Sequence, residues 1–307
     1  MTTTHAAKGL VWIDLQSPTD DEISVLVKRY SLHPLVGEEL KSSPSVVKID
    51  FYKDYILVVL TLPIRVKKDD GYTIVDCEVD FVVGKNFLIT SRFEAIEQLE
   101  YFAKIFETNS ILNKGEKIEH AGHLFYYMVM RLYGGMCSDL ENIRDSLLMA
   151  ETRIFGGDER KMVEVLSGLS RQLIDFRQTA RVHRDVWDNM TTFTGKELFN
   201  QDFAPYINDL RDEFNRCHDL IVNARELLAD LRETNDSLLN TRQNDIIRTL
   251  TIINFIFIPA TFIASLFTIP ASFVPLIEKE SGWITILVVM IAITTAIWVV
   301  VKRKKWL

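Results

Sequence analysis

The sequence predicts an α/β soluble domain followed by a long stalk helix and two C-terminal transmembrane helices. Three observations carry that reading. Two uncharged apolar runs lie near the end of the chain, LTIINFIFIPATFIASLFTI at 250–269 and WITILVVMIAITTAIWVVV at 283–301. A helical pattern free of proline and glycine runs from Tyr206 to Ile258. Strand-like runs separated by turn residues fill positions 11–93.

Taken in order, VWIDL at 11–15 reads as a short strand. Ser17-Pro18-Thr19-Asp20 then opens a helix near 20–30, because a Ser or Thr hydroxyl can accept from the unpaired amides of a first turn. His33-Pro34-Leu35 starts a second helix. VVKIDFY at 46–52 and DYILVVLTLPIRV at 54–66 are strands joined by a tight turn at Lys53-Asp54. Lys68 to Gly71 is another turn signal. TIVDCEVDFVVG at 73–84 and NFLITSRF at 86–93 are two further strands flanking a turn at Gly84-Lys85-Asn86. From Glu94 the texture is helical, with long helices expected over 119–155, 160–189 and 200–268. The organisation that follows is a domain at 1–199, a stalk helix at 200–249, membrane helices at 250–269 and 283–301, a connector at 270–282 and a basic tail at 302–307.

Composition excludes several classes. Acidic residues outnumber Lys and Arg, 42 to 35, and no basic segment studded with aromatics is present, so a nucleic-acid partner is excluded. The first residues hold no apolar core of a secretory signal. Cys77, Cys137 and Cys217 are few and widely spaced, which fits a reducing compartment and argues against a disulfide framework or a structural zinc site. No phosphate-binding loop, dinucleotide fingerprint or nucleophile elbow occurs, so the chain reads as neither an enzyme nor the holder of a required cofactor. His120 and His123 are spaced to share a helix face and could hold a metal, although a surface or partly buried pair is the stronger reading. Cys217 and His218 diverge by about 100° on a helix and read as structural.

A run of about twenty residues rising about 1.5 Å each spans a hydrocarbon core of about 30 Å, so both apolar runs qualify. Lys302, Arg303, Lys304 and Lys305 follow the second run, and Arg242 and Arg248 precede the first. The connector carries Glu278, Lys279 and Glu280. Positive charge stays inside, so both termini are expected in the cytoplasm and the connector outside. Trp283, Trp298 and Trp306 suit interfacial anchors.

The helix over 206–268 carries a polar stripe. Asn244, Thr251, Asn254, Thr261, Ser265 and Thr268 continue the rows that hold Glu226, Asp230 and Glu233, with Ile247 and Ile258 as apolar members. Thr251, Asn254, Thr261, Ser265 and Thr268 fall within an arc of about 100°. A polar face toward lipid is costly, so it must meet protein or water. Two readings stay open: hydrogen bonding between helices, and a wet path. In the acidic half, a plain solvated face competes as well. Two helices cannot enclose a pore, so a wet path requires a ring of subunits, with Glu226, Asp230 and Glu233 attracting cations.

Several stretches together resemble the CorA family of divalent-cation transporters: Leu250 to Thr268 with its FIPATFIA core at 257–264, the terminal KRKKWL, VWIDL at 11–15, His33-Pro34-Leu35, and DFYKDYILVVLTLP at 50–63. The resemblance covers essentially the whole chain. It implies a homopentamer in a bacterial inner membrane, an α/β cytoplasmic domain, and divalent cations as substrate and regulatory ligand. Carried over by position, Asn244, Ile247, Thr251, Asn254, Ile258, Thr261 and Ser265 match pore-facing sites, with Thr268 at their outer end. Lys302 to Lys305 match a basic ring at the cytoplasmic mouth, and Asp209 falls at a regulatory metal acid. One departure is plain. The family's Gly-Met-Asn signature is replaced by Thr268-Ile269-Pro270, and the connector holds VPLIE at 274–278 in place of a strongly acidic run. The expected function is a channel for magnesium by default, with cobalt, nickel or zinc as alternatives. Zinc transport and a non-conducting membrane sensor or scaffold are the competing readings.

Overall fold

Three layers build the N-terminal unit, and the sequence shows why. Of the two central strands, β4 (Tyr55–Lys68) is apolar from Tyr55 to Ile64 apart from Thr61, and β5 (Gly71–Gly84) ends in the apolar run Phe81-Val82-Val83. Runs of that kind belong to strands covered on both faces. The computed structural model describes residues 2–7, 9–43, 45–68, 71–107, 120–192, 198–199, 203–266 and 282–303. Within it, Phe81 and Val82, adjacent and on opposite faces of β5, are both fully buried.

The sheet has six strands in the order β1-β2-β6-β5-β4-β3, where β1 is Thr2–Ala7, β2 Leu10–Gln16, β3 Lys48–Phe51 and β6 Phe87–Arg92. β2 and β6 are parallel, in register at Ile13↔Ile89, and every other pair is antiparallel. β1 is absent from the sequence-based reading. Its residues TTTHAA lack apolar alternation, and it is held as an edge strand by pairing with β2, with His5 stacked 4.6 Å from Trp12.

On one face lie α1 (Asp20–Arg29) and α2 (Pro34–Glu39), which bury Ile23, Leu26, Val36 and Leu40 against Ile13, Leu57, Val59 and Val82. α1 starts as its sequence dictates. The Thr19 hydroxyl accepts from the Glu22 amide, and the Glu22 carboxylate accepts from the Thr19 amide at 2.9 Å. α2 starts at Pro34, with His33 Nδ1 accepting from the Leu35 amide. Gly37 permits the two helices to touch, since a Cβ there would meet Val27 Cγ2 at 2.8 Å.

The other face is covered by α4 (Ala121–Phe155) and α5 (Glu159–Thr192), with α3 (Glu97–Glu107) beside them. Phe125 of α4 sits edge-on to Phe81. A chain of hydrogen bonds ties both helices to the sheet. Trp187 Nε1 donates to the Tyr133 hydroxyl at 2.8 Å, which lies 2.7 Å from His183 Nδ1, and His183 Nε2 lies 2.8 Å from the Thr61 carbonyl. A carbonyl only accepts, so Nε2 carries the proton and Nδ1 accepts from Tyr133. At the end of β6, Arg92 pairs with Asp14 at 3.0 Å, both nearly buried, and Asp14 also accepts from Thr90 at 2.7 Å.

α6 runs Ala204–Leu266 and α7 Gly282–Arg303. The chain divides into two units, 1–232 and 233–307. Within the first, α6 brings Cys217 to Cys137 of α4, and the two are joined as a disulfide with a Cα separation of 5.2 Å. This corrects the expectation, drawn from their wide spacing, that the cysteines form no disulfide framework. Their 80-residue separation hides a side-by-side helix contact that only the tertiary fold creates. Cys77 is free and buried, and burial pushes its thiol up to about 11.

Candidate functional site

The second unit consists of the rest of α6 and α7, both long and apolar enough to cross a membrane. On α6 the residues that are buried or half-buried beyond position 250 are Ile252, Ile256, Pro259, Ala260 and Ile263. At 100° per residue they share an arc of about 100°. Half-buried positions on α7 recur as Ile286, Met290, Ile293, Thr294 and Ile297. Ala260 lines a groove with Trp283, Ile286, Leu287 and Met290, so the apolar arc of α6 is the one α7 lies against.

The polar stripe occupies the opposite arc. Asn244, Ile247, Thr251, Asn254, Ile258, Thr261 and Ser265 are all exposed in the single chain, Ile258 at 63%. The sequence therefore sorts its two faces by chemistry, with hydroxyls, amides and two isoleucines on one and packing aliphatics on the other.

The hydroxyl geometry has a chemical consequence. Thr251 Oγ1 donates to the Ile247 carbonyl at 2.7 Å, Thr261 Oγ1 to the Ile258 carbonyl at 2.9 Å, and Ser265 Oγ to the Phe262 carbonyl at 2.9 Å. Each proton is used within the helix, which leaves oxygen lone pairs toward the outside. Such a face accepts hydrogen bonds from the water shell of a cation. Pro259 has no amide, so the Phe255 carbonyl lacks its usual helical partner.

The remaining expected residues divide. Glu226, Asp230 and Glu233 are exposed on α6. Lys302 and Arg303 form the last turn of α7, with Lys302 Nζ 5.0 Å from the centre of the Trp298 ring. Lys304 and Lys305, together with Thr268, Ile269 and Pro270, lie outside the described residues. Asp209 is exposed and accepts a hydrogen bond from the Tyr126 hydroxyl. Among the described residues, the one cluster of three metal-ligating side chains is Cys137, Glu213 and Cys217, which does not include Asp209.

His120 and His123 differ from expectation. They are only 4% and 7% exposed, with rings 4.2 Å apart. Phe199, Phe203 and Tyr206 close over them, contacts that no local spacing signals. Desolvation, and to a lesser degree the His123 neighbour, push His120 down to about 4, so it is neutral at physiological pH.

The family described as CorA-like Mg2+ transporter protein matches residues 7–303. The chain is 24% identical to the cobalt/magnesium transport protein CorA of Thermotoga maritima, over 99% of this chain and 88% of that protein. It is 26% identical to the putative metal ion transporter YfjQ of Bacillus subtilis, over 96% of this chain and 89% of that protein. The solved complete structure of the CorA magnesium transporter from Methanocaldococcus jannaschii superposes with a TM-score of 0.81 at 20% identity, covering 99% of this chain and 94% of that one.

Proposed function

This chain belongs to the CorA-like Mg2+ transporter family, and we propose that it passes hydrated divalent cations across a lipid bilayer through a pore built by copies of α6. One observation carries the proposal: the polar stripe of α6 lies opposite the face that α7 covers. A hydroxyl and amide face left uncovered within a membrane-spanning helix needs protein or water. A ring of subunits with α6 inside and α7 outside supplies both. The family relationship favours five copies, an inner bacterial membrane and cytoplasmic termini.

The mechanism follows from the lining. Magnesium gives up its water reluctantly, so the ion keeps most of its shell. Thr251, Asn254, Thr261 and Ser265 accept hydrogen bonds from that shell, and no membrane-embedded carboxylate binds the ion tightly enough to trap it. Weak, repeated contacts permit both entry and release. Ile247 and Ile258 form apolar rings that block flow when they dewet. Glu226, Asp230 and Glu233 concentrate cations, and the gradient and membrane potential drive them.

Magnesium is the first substrate, with cobalt next, as the relatives' names indicate. The replacement of Gly-Met-Asn by Thr268-Ile269-Pro270 removes an asparagine amide and leaves the Thr268 hydroxyl. That change favours a relaxed choice that includes nickel and zinc. The test is uptake by the full-length protein in liposomes. Asn254→Leu and Thr261→Leu each abolish uptake while the oligomer keeps its size; undiminished uptake in both rejects the pore assignment.

A further inference from the structure

The Cys137, Glu213 and Cys217 cluster lies outside the proposed pore and has its own chemistry. Cys137 comes from the middle of α4. Glu213 and Cys217 are four residues apart on α6 and so share one face. One ligand atom from each lies within 4.8 Å of the others. The two sulfurs are buried, at 2% and 0% exposure, while the Glu213 side chain is 15% exposed and opens the cluster to solvent along one edge. Glu213 accepts from Arg216 at 3.3 Å, and Arg216 also reaches Glu141 at 3.3 Å. Glu213 can therefore turn inward without stranding the guanidinium.

From this geometry we propose that the cluster is a redox-dependent site for one thiophilic divalent cation of the zinc or cobalt(II) type. The cytoplasmic placement proposed above exposes the domain to small-molecule thiols. Two such thiols reduce the Cys137–Cys217 disulfide, giving up two electrons and two protons. The products are two cysteine thiols and the disulfide of the reductant. A divalent cation then displaces the two thiol protons and binds two thiolates and the Glu213 carboxylate, with a fourth position open to water. The Cα separation of 5.2 Å suits sulfurs about 3.7 Å apart, as two thiolates on a tetrahedral zinc require. Oxidation by a disulfide-class oxidant expels the metal and restores the covalent tie between α4 and α6. Soft thiolates select against magnesium, so the site senses a different ion from the one the pore favours.

The test uses full-length protein in detergent, reduced with a phosphine that does not bind metal, and titrated with cobalt(II). One cobalt per chain appears with an intense near-ultraviolet thiolate charge-transfer band and visible bands of tetrahedral cobalt, and zinc removes both. An oxygen-lined pore gives neither band, so the readout is independent of whether the protein conducts. Cys217→Ser abolishes the bands and Cys77→Ser leaves them. Glu213→Gln keeps the sulfur band but weakens affinity by about tenfold or more. Zinc also protects Cys137 and Cys217 of the reduced wild type from alkylation, a measurement that stands if Cys217→Ser fails to fold. Absence of the bands in reduced, folded wild type, loss of them in Cys77→Ser, or alkylation unaffected by zinc overturns the proposal and leaves a plain structural disulfide.

Discussion

Lowering the pH from 7 to 5 destabilises the N-terminal unit through His183, and the structure gives the size. The ring is fully buried, with Nδ1 accepting from Tyr133 and Nε2 donating to the Thr61 carbonyl. Protonating Nδ1 turns that acceptor into a donor facing the Tyr133 hydroxyl, whose oxygen already accepts from Trp187. Burial pushes His183 down to about 4, from the ordinary imidazole value of 6.5. With the folded pKa depressed, the stability is whole above about pH 6.5 and drains away as pH falls toward about 4. Between pH 7 and 5 the loss is about 2 kcal/mol. For a unit of this size that lowers the melting temperature by about 4–8 °C. Other buried groups titrate too. His120 acts in the same direction, while Asp80, which desolvation holds well above the usual carboxylate range, acts in the opposite one. The measurement is therefore a difference. His183→Gln offers an amide to Thr61 and an oxygen to Tyr133 but cannot titrate. Melting curves of wild type and variant at both pH values, in detergent, should show the variant losing about 4–8 °C less. Parallel curves would refute the assignment of a neutral, buried His183.

Other perturbations act through named contacts. Arg92→Met leaves the Asp14 carboxylate buried and without its cation, and costs about 3–5 kcal/mol, read as a lower melting temperature. Gly84→Ala places a Cβ 2.2 Å from the Phe87 ring, which Tyr30 holds at 4.5 Å. It destabilises by about 1–3 kcal/mol in the same assay. Ser265→Leu puts a bulky apolar side chain into the membrane part of the pore-facing stripe and should lower cation uptake by liposomes that hold the intact oligomer. Val288→Leu, on an exposed face of α7, should leave uptake unchanged.

Some of this molecule can be read directly from the sequence because the governing forces are local. Thr19 and Glu22 fix the start of α1, and Pro34 that of α2. Charge-free runs mark the segments long and apolar enough to cross a membrane, at the end of α6 and in α7. The α6 stripe is legible because helical spacing alone puts Thr251, Asn254, Thr261 and Ser265 on one side. What stays hidden depends on which elements become neighbours. β1 is a polar edge whose only support is pairing to β2. The β2–β6 contact joins strands about seventy residues apart. Cys137 meets Cys217 only because α4 and α6 run side by side, and His120 and His123 are buried only because Phe199, Phe203 and Tyr206 close over them. The face of α6 that α7 covers is likewise a packing fact, and it gives the polar stripe its meaning.

Ion flux is the decisive measure of whether this chain carries divalent cations across a bilayer. Purified full-length protein in liposomes, energised by an inside-negative diffusion potential, should take up magnesium and cobalt, with nickel and zinc following. Uptake should saturate with concentration and collapse with the potential. Liposomes that take up none of the four ions beyond protein-free controls, while holding correctly assembled protein, would rule out a divalent-cation pathway through this protein.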